Sequence, residues 1–184
     1  MINYLVGPKW DRRQITIAPK GSIAILMSGG IDSYVLYNLI KNYDPTIYNI
    51  NRADGFDRAW RVEQLTGKPV IRFDETTTNP DNRIKEAIWS IQKKHDQLYM
   101  GMNHIPPIYH FPEFADKAPH RPWHHGNEKL VTPFLHLYKY HIIELADQLS
   151  ISLKDTHSCI SNSSVECGEC WQCREKQWGY EQLD

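Results

Sequence analysis

Along the first hundred residues, short apolar runs alternate with segments whose apolar positions recur every three or four residues. The run from Ser22 to Met27 is rich in β-branched residues, which predicts a buried strand. From Ser33 to Asn42 the spacing predicts a helix, and Pro45 lies beyond its end. The first elements predicted are therefore a strand, a glycine-rich turn and a helix.

The same alternation continues through the rest of the chain. Strands are predicted at 46–50, 69–73 and 97–101, and helices at 56–65, 83–94, 137–149 and 170–180. Strands that alternate with helices favour a parallel sheet covered on both faces. The predicted fold class is α/β, with a Rossmann-like parallel sheet flanked by helices. A length of 184 residues suits a single domain over 1–184.

A long irregular stretch from 102 to 129 interrupts this alternation, and it holds five prolines and five histidines. A loop of that length is usually functional or mobile. Tyr109 and Trp123 are candidates to stack on a base. The histidines His120, His124 and His125 allow a second metal, but the neighbouring prolines favour a solvated or substrate-contacting loop.

Composition narrows the class of protein. The formal net charge is -1, so overall charge gives no support to nucleic-acid binding, although a local basic patch is left open. We find neither a signal-peptide pattern nor a run of roughly 20 apolar residues. We therefore expect a cytoplasmic protein with no membrane partner.

The segment after the first predicted strand reads Ser-Gly-Gly-Ile-Asp-Ser. Gly29 and Gly30 allow backbone N–H groups to approach a phosphate chain, and the following helix adds its positive end. Asp32 would hold the Mg²⁺ that accompanies ATP. A simple strand-to-helix turn is the alternative. The predicted nucleotide contacts are Leu26, Met27, Ser28, Gly29, Gly30, Ile31, Asp32 and Ser33.

Two other phosphate-binding motifs do not match this segment. It lacks the lysine of a Walker-type loop, and its glycine spacing differs from that of the dinucleotide fingerprint. Neither γ-phosphate transfer nor hydride chemistry is favoured. Cleavage between the α and β phosphates fits better.

All four cysteines lie near the end of the chain, at Cys159, Cys167, Cys170 and Cys173. Four closely spaced thiolates match a closed, structural zinc site, which we place in a C-terminal segment at 155–180. A redox Cys-x-x-Cys pair and an iron–sulfur cluster are the alternatives. Zinc is the preferred interpretation.

The glycine-rich segment resembles the loop of the pyrophosphate-loop ATPases, the adenine nucleotide alpha hydrolase-like superfamily. Residues 155–159 (DTHSC) and 167–174 (CGECWQCR) are similar to the tail of the 7-cyano-7-deazaguanine synthase family. The stretch 132–135 (TPFL) and the helix from Lys139 to Leu149 resemble the segment that precedes that tail.

This resemblance implies a ligase that forms carbon–nitrogen bonds. ATP would adenylate the carboxylate of 7-carboxy-7-deazaguanine, ammonia would give the amide, and a second ATP would activate the amide for loss of water to the nitrile. The catalytic residues we expect are Asp32, Ser33 and Lys139, with Lys139 acting on the pyrophosphate. A solvated first-turn lysine is the alternative for Lys139. A homodimer is also left open.

The segment after Gly101 departs from the family, because Asn103-His104-Ile105 stands where an aspartate is expected, and Asp116 comes late. The identity of the acceptor is therefore less certain than the use of ATP. A pyrophosphate-loop enzyme that modifies a tRNA base and a nucleotide-binding module without turnover are the two alternative functions.

Overall fold

The computed structural model describes residues 1–50, 57–73, 80–114, 128–161 and 164–183. Its main sheet has five parallel strands in the order β5-β4-β3-β6-β7. These strands are β3 (Ile23–Leu26), β4 (Thr46–Ile50), β5 (Ile71–Phe73), β6 (Gln97–Met100) and β7 (Leu130–Val131). The central strand β3 pairs in parallel with β4 on one side and β6 on the other.

The helices follow the strands as the sequence predicts. They are α1 (Ile31–Ile40), α2 (Ala59–Thr66), α3 (Pro80–Gln92), α4 (Lys139–Gln148) and α5 (Trp171–Glu181). Gly67 ends α2 in the left-handed conformation, which glycine adopts without steric cost. None of the helices in the described ranges is long and apolar enough to cross a membrane.

Successive side chains of each strand point to opposite sides of the sheet. Both faces of the sheet are covered by helices. On one face Ile25 and Tyr99 pack with residues of α1 and α4 in a single buried cluster. On the other face Ala24 and Leu98 pack with Ile88 of α3. The predicted α/β class with a parallel sheet flanked by helices is confirmed.

An antiparallel hairpin precedes the main sheet, and we did not predict it. It consists of β1 (Ile2–Val6) and β2 (Arg13–Ile17). The hairpin is fastened to α4, since the backbone N–H of Gly7 donates to Glu144 Oε2 at 2.7 Å. It thereby supports the helix that begins with Lys139.

Several predicted boundaries shift. Helix α1 begins at Ile31 rather than at Ser33, because Gly30 already takes the extended N-cap conformation. Strand β7 lies directly after the predicted irregular stretch. Trp123, Asp116 and the three histidines at 120, 124 and 125 lie outside the described residues.

Candidate functional site

The Ser-Gly-Gly segment lies at the carboxyl end of the central strand, between β3 and α1. Met27 is fastened to β4, because its N–H donates to the Tyr48 carbonyl at 2.8 Å and its carbonyl accepts from Asn49 Nδ2 at 2.7 Å. The neighbouring strands β4 and β6 lead away on opposite sides of β3. In open α/β sheets this is the position where ligands bind.

Two glycines give the loop its shape. Gly29 has φ +82, a left-handed backbone that a side chain would strain. Gly101, just after β6, lies so close to the loop that a Cβ there would be 2.7 Å from the carbonyl carbon of Asp32. The chain after β6 therefore packs directly against the start of α1.

Hydroxyl groups line the inside of this turn. Ser33 Oγ donates to the Gly30 carbonyl at 3.1 Å and lies 3.3 Å from the N–H of Ser28. Ser158, which belongs to the C-terminal segment, reaches the first amide of α1, since the N–H of Ile31 donates to Ser158 Oγ at 3.5 Å. Weak contacts of this kind are easily exchanged for a stronger acceptor such as a phosphate oxygen.

Lys139, the first residue of α4, reaches into the same place. Its Nζ lies 2.6 Å from both Asp32 Oδ1 and Asp32 Oδ2. It is also 3.4 Å from Glu175 Oε2 on α5. Lys139 is only 3% exposed, so the solvated first-turn alternative is wrong.

Charge balance keeps the Lys139 ammonium in its charged form. Burial alone would lower the pKa of Lys139, but the carboxylates of Asp32 and Glu175 raise it above its ordinary value. Burial also raises the pKa of Glu175, and the nearby Asp32 charge adds to that effect. The side chain of Glu175 is anchored by Asn103, whose Nδ2 donates to Glu175 Oε1 at 2.7 Å.

A cavity of about 560 Å³ opens over these groups. Its polar side is formed by the loop, Lys139 and Glu175. Apolar side chains complete the wall, and they are Ile84, Met102, Ile105, Pro106, Leu135, Ile160 and Trp171. A volume of this order is typical of small-molecule sites. Tyr109 is 81% exposed and lies against His110 rather than among the residues that line the cavity.

The four cysteines come together in one cluster. Their sulfur atoms all lie within 4.8 Å of one another, and the pairs Cys159–Cys167 and Cys170–Cys173 are 3.4 and 3.5 Å apart. A tetrahedral zinc ion with Zn–S bonds of about 2.3 Å would place its sulfurs about 3.8 Å apart. The four thiols therefore fit a closed site of this kind.

The surroundings shift the pKa values of individual cysteines in different directions, and burial together with the neighbouring Cys170 raises the pKa of Cys173 to about 12. Burial raises the pKa of Cys159, but hydrogen bonds from Ser161 and Cys167 outweigh it and lower the pKa to about 6. The thiolate is the form that ligates metals.

The cysteine cluster lies between the glycine-rich loop and α5. Before the cluster, the N–H of His157 donates to the Gly29 carbonyl at 2.9 Å. In addition, Arg58 Nη2 donates to the Cys159 carbonyl at 2.7 Å. Within the cluster, Cys170 is the N-cap of α5, the helix that carries both Cys173 and Glu175. The cluster thus connects the loop at the start of α1 with the helix that faces Lys139.

The structure brings together residues that the sequence places far apart. Asp32 and Lys139 meet at one cavity that Ser28 and Gly30 also line, whereas Gly29, Ile31 and Ser33 are not among the residues that line it. Leu26 ends β3, and Met27 follows it beneath the loop. Sequence reasoning missed Glu175 and Asn103. Glu175 lies two residues after Cys173 in the predicted helix at 170–180. The signal available in the sequence was a charged residue at a buried position of that helix.

These features define an α/β domain with a glycine-rich loop at the end of its central strand and a cluster of four thiols that could hold a metal ion. A family model described as "Queuosine biosynthesis protein QueC" matches residues 87–184, just over half of the chain. The chain therefore belongs to this family. The matched range includes Lys139, Glu175 and all four cysteines, whereas the loop at 28–33 lies before it.

Proteins named 7-cyano-7-deazaguanine synthase are similar to the same chain. One from Prochlorococcus marinus (strain AS9601) is 40% identical over 85 residues, which is 45% of this chain and 38% of the relative. Another, from a Nitratiruptor species, is 40% identical over 53 residues, 29% of this chain and 24% of the relative. The matched part of the chain thus spans well under half the length of these relatives.

Proposed function

We propose that this chain is an ATP-dependent adenylating ligase of the 7-cyano-7-deazaguanine synthase type. The observation that carries the proposal is the buried Lys139 ammonium. It joins Asp32 of the glycine-rich loop to Glu175 of α5 at the base of a cavity. A fixed cation beside the glycine-rich loop is suited to stabilise negative charge that develops on a departing pyrophosphate.

Each loop residue has a proposed role. The amides that follow Gly29 and the hydroxyls of Ser28 and Ser33 would hold phosphate oxygens, and the N-terminus of α1 adds its partial positive charge. Asp32 offers the oxygen ligands that Mg²⁺ prefers, and its side chain is 21% exposed toward the cavity. ATP would supply the adenylyl group that turns an acceptor oxygen into a leaving group.

The acceptor we propose is 7-carboxy-7-deazaguanine, with ammonia as the nitrogen source. The name of the similar proteins supports a deazaguanine, and the apolar wall of the cavity suits the faces of a flat ring. The carboxylate would lie toward Lys139 and the loop, where the adenylyl group is transferred.

We assign the cysteine cluster to Zn²⁺ in a structural role. Four thiolates leave no open coordination position for a substrate. The ion would hold the C-terminal segment in the conformation that presents Ser158 and Glu175 to the cavity. Its contribution to the reaction is therefore indirect.

The test is release of AMP and pyrophosphate by the purified chain. We expect release that depends on 7-carboxy-7-deazaguanine, ammonia and Mg²⁺ together. Lys139→Met should lower the rate by about 10²-fold or more, the cost of losing one preorganised charge contact. Lys154→Met, at an exposed position, is the matched control and should retain full activity.

Three results would contradict the proposal or the part of Lys139 in it. AMP formation that depends on RNA rather than on a deazaguanine would assign the chain to tRNA-base modification. Tight nucleotide binding without pyrophosphate from any acceptor would make it a binding module. Equal activity of the Lys139→Met and Lys154→Met variants would remove Lys139 from the reaction.

A further inference from the structure

Lys139 has two acidic neighbours that differ in their surroundings. Asp32 approaches Nζ with both oxygens, at 2.6 Å each, and belongs to the loop that lines the cavity. Glu175 approaches with one oxygen at 3.4 Å, and its side chain is only 4% exposed. The closer of the two ion pairs, that of Lys139 with Asp32, is thus the one that solvent and ligands can also reach.

Glu175 is held in place from two sides. Asn103 donates to its other oxygen at 2.7 Å, and its helix α5 is packed against α4 so closely that a Cβ on Gly179 would lie 2.9 Å from Lys139 Cγ. These contacts hold the Glu175 carboxylate at the wall of the cavity. Its carboxylate remains a fixed acceptor beside Lys139.

The proposed function creates a conflict at Asp32. The same carboxylate is required to approach Mg²⁺ and already accepts two short contacts from the Lys139 ammonium. A carboxylate that turns to a divalent cation gives up part of its contact with Lys139. A buried ammonium without a counter-charge is strongly unfavourable, so the exchange needs a second acceptor.

We propose that Glu175 is a positioning residue that retains the Lys139 ammonium at the cavity when the Asp32 carboxylate turns to Mg²⁺. This inference rests on the proposed function and extends it to a residue outside the glycine-rich loop. Glu175 acts through Lys139 and touches neither nucleotide nor metal. Its effect is to make the Asp32 oxygens available to the ion.

The experiment measures ATP binding by calorimetry as Mg²⁺ is increased. In the Glu175→Gln variant the ammonium has only Asp32 as a charged partner, so Asp32 is held more firmly. We expect half-maximal ATP binding to need about tenfold more Mg²⁺, as for the loss of one charged hydrogen-bond contact. Glu181→Gln removes the same charge from an exposed position on the same helix, and it should match the wild type.

A double-mutant comparison separates this role from a merely structural one. In a Lys139→Met background, Glu175→Gln should leave the Mg²⁺ dependence unchanged, because the residue through which it acts is gone. Zinc content and melting temperature establish that each variant is folded. Should Glu175→Gln lose its fold, Glu175→Asp, which retains the charge on a shorter side chain, carries the same comparison and should need an intermediate Mg²⁺ concentration.

The outcomes are distinguishable. A wild-type chain with no Mg²⁺-dependent ATP binding would overturn the proposed function and the role of Glu175 with it. Wild-type binding combined with an unchanged Mg²⁺ dependence in folded Glu175→Gln would overturn the role of Glu175 alone. An effect of Glu175→Gln that persists in the Lys139→Met background would make the residue structural.

Discussion

Two titratable residues on the first turn of α4 are buried, one as a cation and the other in its neutral form. Lys139 remains a cation because two carboxylates face it. His141 is fully buried, and burial together with the nearby Arg13 lowers its pKa to about 4. Its Nδ1 accepts from the N–H of Tyr138 at 3.0 Å, so Nε2 carries the hydrogen that is donated to the Asp11 carbonyl at 2.9 Å. His141 is therefore a neutral link between α4 and the hairpin.

This neutral state predicts a loss of stability in acid. Between pH 6.5 and about 4 the unfolded chain binds a proton at this histidine and the folded chain does not. The free energy of unfolding should therefore fall as the pH is lowered through that window, by up to about 3 kcal/mol from this residue. Urea unfolding at pH 7 and pH 4.5 measures the difference. In His141→Gln, which cannot titrate there, the difference should be smaller, and an equal pH dependence in both proteins would exclude His141 as its source.

Single residues also mark the limit of what the sequence could predict at the site. The sequence alone reveals a short motif whose residues are neighbours along the chain, namely Ser28, Gly29, Gly30, Asp32 and Ser33. The contact of Asp32 with Lys139 joins residues 107 positions apart. Spacing along the chain does not encode a contact of that range. The ion pair and the proposed role of Glu175 could therefore be inferred only from the structure.

At the scale of elements, the contact between α4 and α5 determines where Lys139 and Glu175 meet. Gly179 lies at the closest point of this contact, where a Cβ would be 2.9 Å from both Ile143 Cδ1 and Lys139 Cγ. The absence of a side chain therefore allows the two helices to approach. The distance between the Lys139 ammonium and the Glu175 carboxylate depends on that approach.

The variant Gly179→Ala tests this dependence. The added methyl should separate the helices and lower the free energy of unfolding by about 1–3 kcal/mol, the usual cost of overpacking. Mg²⁺-dependent ATP binding should weaken at the same time. Gln177→Ala, at an exposed position of the same helix, should be close to neutral in both measurements. A fully stable Gly179→Ala variant would show that the helices can adjust without cost.

The elements differ in how well their patterns predicted them. Strand β4 matches its prediction at both ends, because Pro45 stands directly before it and four of its five residues are β-branched or aromatic. Strand β7 has two residues, which is too short for a recognisable pattern. In β2 the buried residues Ile15 and Ile17 alternate with exposed ones. In β1 the apolar residue Leu5 is exposed, so the two-residue hydrophobic period of the sequence is interrupted there.

For the whole molecule, the cysteine cluster connects the two halves of the cavity. The segment before it contacts Gly29 and Ile31, and the helix after it carries Glu175. Loss of the Zn²⁺ that we propose for this cluster would therefore affect both sides. This is the reason to expect that a structural ion controls activity at a distance from its ligands.

Removal of one ligand tests that expectation. Cys170→Ser should abolish the one zinc ion per chain that we expect by elemental analysis. It should lower the melting temperature by about 10 °C, because several kcal/mol of coupled binding and folding energy are lost. ATP binding should weaken as well. Glu169→Gln, at the exposed neighbouring position, is the control, and a metal-free Cys170→Ser chain with wild-type stability would contradict a structural role.

The connection between cluster and loop also affects how assays of this protein can be interpreted. A chelator such as EDTA, added to stop a reaction by sequestering magnesium, would compete for the thiolate-bound ion as well. Inactivation would then follow from a loosened C-terminal segment and would resemble a magnesium requirement. The need for magnesium should accordingly be established by leaving it out of the buffer and adding it back, with zinc retained throughout.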